Sequence, residues 1–359
     1  MKRIELDFER PRALQAGVPP ERRGLERDEV RLLVSTERGH EHARFRDLPR
    51  FLSPGTLLVV NTSATLPASL PAEHSRLGPL LANVSTHYGG SLYLVELRRS
   101  AAEPGPLPVE AGDDLQIAGL PARLVAPHPG LPRLWFVHVE SDESGLRQAM
   151  DRVGTPIRYG YLEAPYPPLA AYQTVFARTP GSAEMPSAGR PFTARVVDAL
   201  RSQGIVLADV TLHAGVSSHE VDTEDVEDQV LYAEPFAVPE PTADAVNAAR
   251  REGRPVVAVG TTVVRALESA WDGDRVCAAA GFTRLMIHPG RPVRTVDGLI
   301  TGLHDPLASH LALLYAVAPR DLVREGYAEA VREGYLWHEL GDSHLLLPRA
   351  LPDRFPLSS

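Results

Sequence analysis

Three short stretches hold side chains whose types and spacing could do chemistry. In "AAYQTVFARTPGSAEMPSAGRPFTARVVDAL", Ala170 to Leu200, a strand-like Tyr172-Gln173-Thr174 leads into a loop with Ser182, Pro186, Ser187 and Gly189. That loop, stiffened by proline and thinned by glycine, runs through Thr193 into an amphipathic helix, so backbone can approach a small polar ligand closely. In "VVAVGTTVVRALESA" an apolar strand ends at Gly260 and a helix opens on Thr261 and Thr262. Free N–H groups and two hydroxyls at such a terminus suit a carboxylate or a ribose edge. An ordinary N-cap with an i,i+3 ion pair between Arg265 and Glu268 explains the same residues without a ligand. In "VTLHAGVSSHE" His213 stands at a strand end, followed by Gly215, Ser217, Ser218 and His219. Strand ends are where α/β sheets meet ligands, although a lone histidine there also serves structure alone.

Several chemistries are excluded by what is missing. His213 and His219 are six apart, as are His304 and His310, which is the wrong spacing for one helical face. No cysteine or carboxylate cluster completes a zinc set, and no metal is expected. Cys277 is the single cysteine and Lys2 the single lysine, so no disulfide, Walker lysine or interior Schiff-base lysine is available. Ser182 and Ser187 stand outside any G-x-S-x-G pattern. A glycine-rich methyltransferase loop is also missing.

The elements that must position these residues belong to an ordinary globular chain. It has 359 residues, 43% hydrophobic and 23% charged, with a net charge of −9. That charge is a poor global match to a polyanion. No apolar run is long enough for a membrane span and the start lacks a signal-peptide core, so a cytoplasmic protein is expected. "RLLV" and "PGTLLVVN" read as strands near the N-terminus. From Ser63 to Met150 short β-rich runs alternate with Pro and Gly at about ten-residue spacing, the texture of a small barrel or sandwich. Afterwards strands ("IVLADVTLHAG", "RPVVAVG", "RLMIHPG") alternate with helices ("FTARVVDALRSQG", "TTVVRALESAW" and two split by Pro319). The expected architecture is α/β: a discontinuous α/β sandwich domain, 1–62 and 151–359, with an inserted small β-barrel domain, 63–150. Nothing in the sequence decides the oligomeric state.

The blocks "YQTVFA", "PGSAEMPSAG", "TLHAG", "AVGTTVVRALESA" and "LGDSHLLL" occur in one order across nearly the whole chain. In that order the chain resembles the S-adenosylmethionine:tRNA ribosyltransferase-isomerase family of queuosine biosynthesis. The resemblance implies that S-adenosylmethionine is a co-substrate that donates ribose rather than methyl. The acceptor it implies is 7-aminomethyl-7-deazaguanine in tRNA, and the products are epoxyqueuosine, adenine and methionine. It implies catalytic roles for His213, in the T-L-H block, and His304, in the family's N-F-H-L-P block. Tyr172, Gln173, Thr174, Ser182, Pro186, Ser187, Gly189, Thr193, Glu234, Gly260, Thr261, Thr262, Arg265, Glu268 and Asp342 are the expected substrate-binding residues. Such chemistry needs neither metal nor lysine, because the sulfonium itself acidifies the neighbouring ribose hydrogens.

Departures from the family pattern fall on ionisable positions. The family's Asn-Asp-Thr-Arg and Pro-Ala-Arg are here Asn61-Thr62-Ser63-Ala64 and Pro67-Ala68-Ser69. Its Gly-Gly-Lys-Val-Glu is Gly89-Gly90-Ser91-Leu92-Tyr93, and the arginine before Tyr-Gln-Thr is Ala171. Family histidines are replaced at Pro191 and around Gln229, Leu231 and Tyr232. Lost phosphate contacts and the acidic balance weigh against tRNA as the partner. A paralogue with a small-molecule acceptor, or a non-catalytic protein that binds an adenosyl ligand, fits the same residues.

Overall fold

Leucine and valine alternate across two apolar layers in this chain, and the strands they form are buried on both faces. The computed structural model describes residues 1–101, 103, 105–216 and 220–348, so Ser217, Ser218 and His219 lie outside the described residues. The chain opens with β1 (Arg31–Thr36), β2 (Gly39–Arg44) and β3 (Leu57–Asn61), then a short β4 (Ser63–Thr65). Six strands follow: β5 (Ser69–His74), β6 (Gly78–His87), β7 (Leu92–Arg98), β8 (Asp114–Ile117), β9 (Leu120–His128) and β10 (Leu131–Val139). Helix α1 (Glu143–Val153) leads back to β11 (Thr179–Ser182), α2 (Ala194–Ser202), β12 (Val206–Leu212) and β13 (Glu234–Val238). Then come α3 (Glu240–Arg251), β14 (Val256–Val259), α4 (Thr261–Ser269), β15 (Ala279–Thr283) and β16 (Gly298–Gly302). Helices α5 (Ser309–Val317) and α6 (Arg320–Arg332) precede β17 (Ser343–Leu347).

Nine strands form one sheet in the order β15-β13-β12-β3-β14-β16-β17-β1-β2. Strands β12, β3, β14 and β16 run parallel to one another in its centre. Because side chains alternate along a strand, Leu57 and Val59 face one layer and Leu58 and Val60 the other. The first layer is completed by Val246, Val263, Leu313 and Val323 from α3 to α6. The second is completed by Phe45, Phe192, Val196 and Leu200. The result is an α/β sandwich.

Strands β5 to β10 close a barrel in the order β10-β7-β6-β5-β8-β9. Its interior holds Leu70, Ala82, Val95, Ile117, Leu124 and Val137, and α1 adds Leu146 and Met150. The chain leaves the sheet and returns beside itself. Ser69 N donates to Thr155 O at 2.9 Å, and Thr155 N donates to Ser69 O at 3.0 Å. The fold is a discontinuous α/β sandwich with an inserted small barrel. Among the described residues no helix is long and apolar enough to cross a membrane.

Local readings of the sequence need correction at three places. Tyr172-Gln173-Thr174 is not a strand: Leu169–Tyr172 is a 3-10 turn. Pro167 and Pro168 forbid ladder hydrogen bonds upstream, and the Gln173 amide supplies the pairing that a strand would have made. Its Nε2 donates to Thr65 O at 2.8 Å and its Oε1 accepts from Thr65 N at 3.0 Å. The expected strand "RLMIHPG" lies outside any strand, and the edge strand comes earlier, at Ala279–Thr283. The polar β2 escaped notice because an edge strand of alternating histidine and charge shows no apolar period.

Candidate functional site

The central parallel strands all end on one side of the sheet, at Asn61, Leu212, Val259 and Gly302. An open α/β sheet leaves its crevice there. Asn61 knits the ends together: its Nδ2 donates to Leu212 O at 2.9 Å and to Thr262 Oγ1 at 3.1 Å, and its Oδ1 accepts from Leu212 N at 3.1 Å. Gly260 turns the chain from β14 into α4 with φ of +95°, a conformation that side chains rarely adopt. The first N–H groups of α4 therefore face the crevice.

A cavity of about 240 Å³ opens at this edge. Gly260, Thr261, Thr262, Pro186 and Ser187 line it, together with four acidic residues, Glu184, Glu220, Asp305 and Glu339. His304, His310 and His338 also line it. His304 is held by Thr301 Oγ1 at 2.8 Å from its Nε2, and its ring stacks on His310 at 4.6 Å. Burial pushes the pKa of both rings down, His304 well below the usual histidine value and His310 to about 4. Both are neutral near pH 7. His338 bonds the Asp305 carboxylate, and Arg10 lies 2.9 Å from the other Asp305 oxygen. Burial raises Glu339 to about 7, with His338 and Arg190 working the other way. The cavity thus combines a helix N-terminus with carboxylates, and suits a ligand that carries both an anionic and a cationic group.

His213 does not face this cavity. It lies on the far side of the strand end, in a second cavity of about 400 Å³ between sheet and barrel. Tyr88, Tyr93 and Phe282 give that space aromatic walls, and Glu143, Arg147 and His87 are its other ionisable groups. Gly181 packs against the imidazole, where any Cβ would run into the ring. A hydroxyl chain positions His213: Ser63 Oγ is 2.7 Å from Nδ1, Ser182 Oγ is 2.6 Å from Ser63 Oγ, and Ala214 N donates to Ser182 Oγ at 3.0 Å. If each hydroxyl donates onward, Nδ1 accepts and Nε2 carries the proton, so the neutral ring presents a donor. Burial, with Arg147 nearby, lowers its pKa.

The remaining expected residues divide between these walls and the scaffold. Ser182 serves the hydroxyl chain, while Pro186, Ser187, Gly260, Thr261 and Thr262 meet in the first cavity. Arg265 does not pair with Glu268; it bonds Glu234 and donates to Leu285 O at 3.2 Å, and these two face a small separate recess. Glu268 Oε1 accepts from Arg294 N, Thr295 N and Thr295 Oγ1 at 2.7, 2.9 and 2.8 Å. Asp342 clasps Arg31 N and Leu336 N, both at 2.8 Å. Thr193 caps α2 and bonds Asp28 at 2.6 Å. Tyr172 and Thr174 are buried, and Gly189 packs beside Thr174. Glu184, Glu339, Asp305 and Arg147 went unnoticed in the sequence. Glu184 lies inside the quoted serine loop and Glu339 beside the closing Gly-Asp, so nearness to those blocks was their only signal.

Among the described residues no group of three or more His, Cys, Asp or Glu is arranged to hold a metal ion. A family model described as "Queuosine biosynthesis protein" matches residues 4–346. An S-adenosylmethionine:tRNA ribosyltransferase-isomerase of Rubrobacter xylanophilus is 41% identical over 350 residues, covering 97% of this chain and 98% of that protein. The protein of the same name from Thermus thermophilus is 39% identical, covering 92% and 97%. The crystal structure of the S-adenosylmethionine tRNA ribosyltransferase from Thermotoga maritima matches with a TM-score of 0.53 at 27% identity, covering 96% of this chain and 100% of that one.

Proposed function

We propose, for a chain that belongs to the S-adenosylmethionine:tRNA ribosyltransferase-isomerase family of queuosine biosynthesis, that it moves the ribosyl unit of S-adenosylmethionine to 7-aminomethyl-7-deazaguanine in tRNA. Epoxyqueuosine forms, and adenine and methionine leave. The observation that carries this reading is the cavity lined by both the Gly260–Thr262 turn and the acidic residues Glu184, Glu220, Asp305 and Glu339. The methionine carboxylate suits the helix N-terminus, and the ammonium and sulfonium suit the carboxyl groups. Adenosylmethionine is the one substrate of this reaction that carries all three charges.

His304 and His213 then serve different ends of the reaction. His304, neutral and fixed by Thr301, belongs to the adenosylmethionine cavity. His213 belongs to the acceptor cavity, whose Tyr88 and Phe282 suit a planar base. A proton donor at His213 Nε2 would favour departure of a group that gains a proton, and a reversed hydroxyl chain would make the same ring a base. Of the expected substrate-binding residues, Thr261, Thr262, Pro186 and Ser187 fit contact with adenosylmethionine; Glu268, Asp342 and Thr193 fit support of the walls.

A second reading has a specific observation behind it. Ala64, Ser69, Ser91 and Ala171 carry no charge where the family resemblance leads one to expect ionisable side chains, and Ser91 is spent on a bond to Ser141 O at 3.1 Å. A small-molecule acceptor would need none of those charges. The deciding experiment incubates the protein with adenosylmethionine and either tRNA bearing the deazaguanine or the free base, measuring released adenine and the mass of each acceptor. Adenine release with a modified tRNA is expected. Release only with the free base selects the second reading, and no release with either overturns both in favour of a non-catalytic adenosyl-ligand protein.

A further inference from the structure

A third cavity, of about 300 Å³, lies on the outer face of the barrel, where the chain returning from α1 crosses β5, β6 and β7. It shares no lining residue with the two cavities described above. Its floor is the outward-facing Ser69, Asn83 and Arg98, and its lid is Thr155, Arg158 and Tyr166. Beneath it, Glu96 is fully buried and accepts from Arg98 Nε at 2.6 Å, Arg133 Nη1 at 3.0 Å and Asn83 Nδ2 at 3.2 Å. That carboxylate fixes the Arg98 guanidinium, which is only 3% exposed.

Two polar atoms of the cavity are left without protein partners. Asn83 is 2% exposed, its amide nitrogen is spent on Glu96, and its Oδ1 accepts nothing. Arg158 Nε is buried and likewise unpartnered, and among the described residues Arg158 has no carboxylate. Its guanidinium lies over the Tyr166 ring at 4.4 Å, and Tyr166 is itself 44% exposed. A buried donor and a buried acceptor without partners each carry an uncompensated loss of hydration. A space of this size that keeps both open, beside an exposed aromatic, is built for a ligand.

We infer that this cavity binds a nucleotide through its phosphate. The Arg158 guanidinium offers the forked donors that phosphate oxygens accept, and Arg98, whose Nε serves Glu96 and whose Nη1 serves Ala101 O, adds Nη2 and its charge. Tyr166 provides a face for a base, and Asn83 Oδ1 takes a hydroxyl or amino proton from the same ligand. On a chain of net charge −9, such a pocket is where a phosphate finds local attraction. The phosphate can belong to a free nucleotide or to one residue of an RNA strand, and the two sources are separable.

The test titrates the full-length protein with uridine 5′-monophosphate by calorimetry and with a labelled single-stranded RNA by anisotropy, over a range of salt. Arg158→Ala and Tyr166→Ala lie outside the barrel core, and thermal melts check that each variant folds. Arg158→Ala is expected to weaken binding about tenfold and to lower the slope of log K against log salt by about one. Tyr166→Ala should weaken binding with the slope kept, while adenosylmethionine affinity stays the same in both variants. Loss with the mononucleotide assigns a free nucleotide; loss with RNA alone assigns a strand. Affinity and slope unchanged in both variants, or no binding of either probe by the wild type, overturns the inference.

Discussion

A histidine does what its partners allow, and His213 is bonded by Ser63, which Ser182 bonds in turn. Ser63 and Ser182 make an unbroken hydroxyl path from Ala214 N to Nδ1. That path holds the ring in place and couples its tautomer to the direction in which the hydroxyls donate, which is how an oriented acid or base differs from a loose one. Replacing His213 with alanine should lower adenine release about 10²–10⁴-fold while the melting temperature stays near wild type. Ser63→Ala should lower kcat and leave the KM for adenosylmethionine unchanged, and Ser63→Thr should restore the rate. Equal loss of rate in the alanine and threonine variants would mean that Ser63 only packs, and undiminished adenine release in His213→Ala would remove the ring from the chemistry. The sequence pattern led to His213, but not to Ser63, because their contact joins residues 150 positions apart.

At the scale of elements, α4 is both a cavity wall and a strut. Its N-terminal turn faces the first cavity, and in its last turn Glu268 is buried. That carboxylate takes three bonds from the segment before β16 and so holds the strand whose end completes the cavity. Glu268→Ala should cost about 3 kcal/mol of stability, because buried donors at Arg294 and Thr295 lose a charged acceptor. Adenosylmethionine affinity of the folded variant should be unchanged, since Glu268 does not reach the cavity. Denaturant unfolding and calorimetry on one preparation read both quantities. Normal stability with weakened affinity would instead make Glu268 a ligand contact. Spacing of Arg265 and Glu268 at i,i+3 suggests an ion pair along the helix; the tertiary fold instead gives each a partner on another segment.

Across the whole molecule, several histidines are buried neutral, and this shapes stability against pH. His344 is fully buried, among the described residues bonds only Ser35 Oγ at 2.7 Å, and burial lowers its pKa to about 3. Above about pH 6.5 neither the folded nor the unfolded state protonates this ring, and its contribution is complete. As pH falls below that value the unfolded chain takes a proton that the folded chain refuses, and stability falls by about 1.4 kcal/mol per unit. At pH 5 the loss from His344 alone is about 2 kcal/mol. His213, His304 and His310, also lowered by burial, act in the same direction. Glu339, raised to about 7, acts oppositely, since stability from its protonated form is lost as pH rises from about 4.5 to 7. Melting temperature should therefore drop between pH 7 and 5, and His344→Gln should flatten the drop by one proton's worth. An unchanged slope in that variant would show that His344 is protonated in the folded state.

The sequence by itself carried the family order of motifs, the alternation of a β-rich insert with strand–helix repeats, and the strand-to-helix turn at Gly260. These are local: apolar period, proline and glycine placement, and hydroxyls at a helix start are written in adjacent residues. Only the tertiary structure decided which side of the sheet each group faces. His213 and Ala214 are neighbours in sequence, yet one lines the cavity against the barrel and the other the cavity at the helix terminus. Successive side chains at a strand end point to opposite sides, so a step of one residue separates two sites. The same holds for the carboxylates Glu184, Glu220, Asp305 and Glu339, scattered over more than a hundred residues and converging only because parallel strands end at one edge. No spacing rule links such residues, because long-range strand order, and not chain distance, sets what meets there.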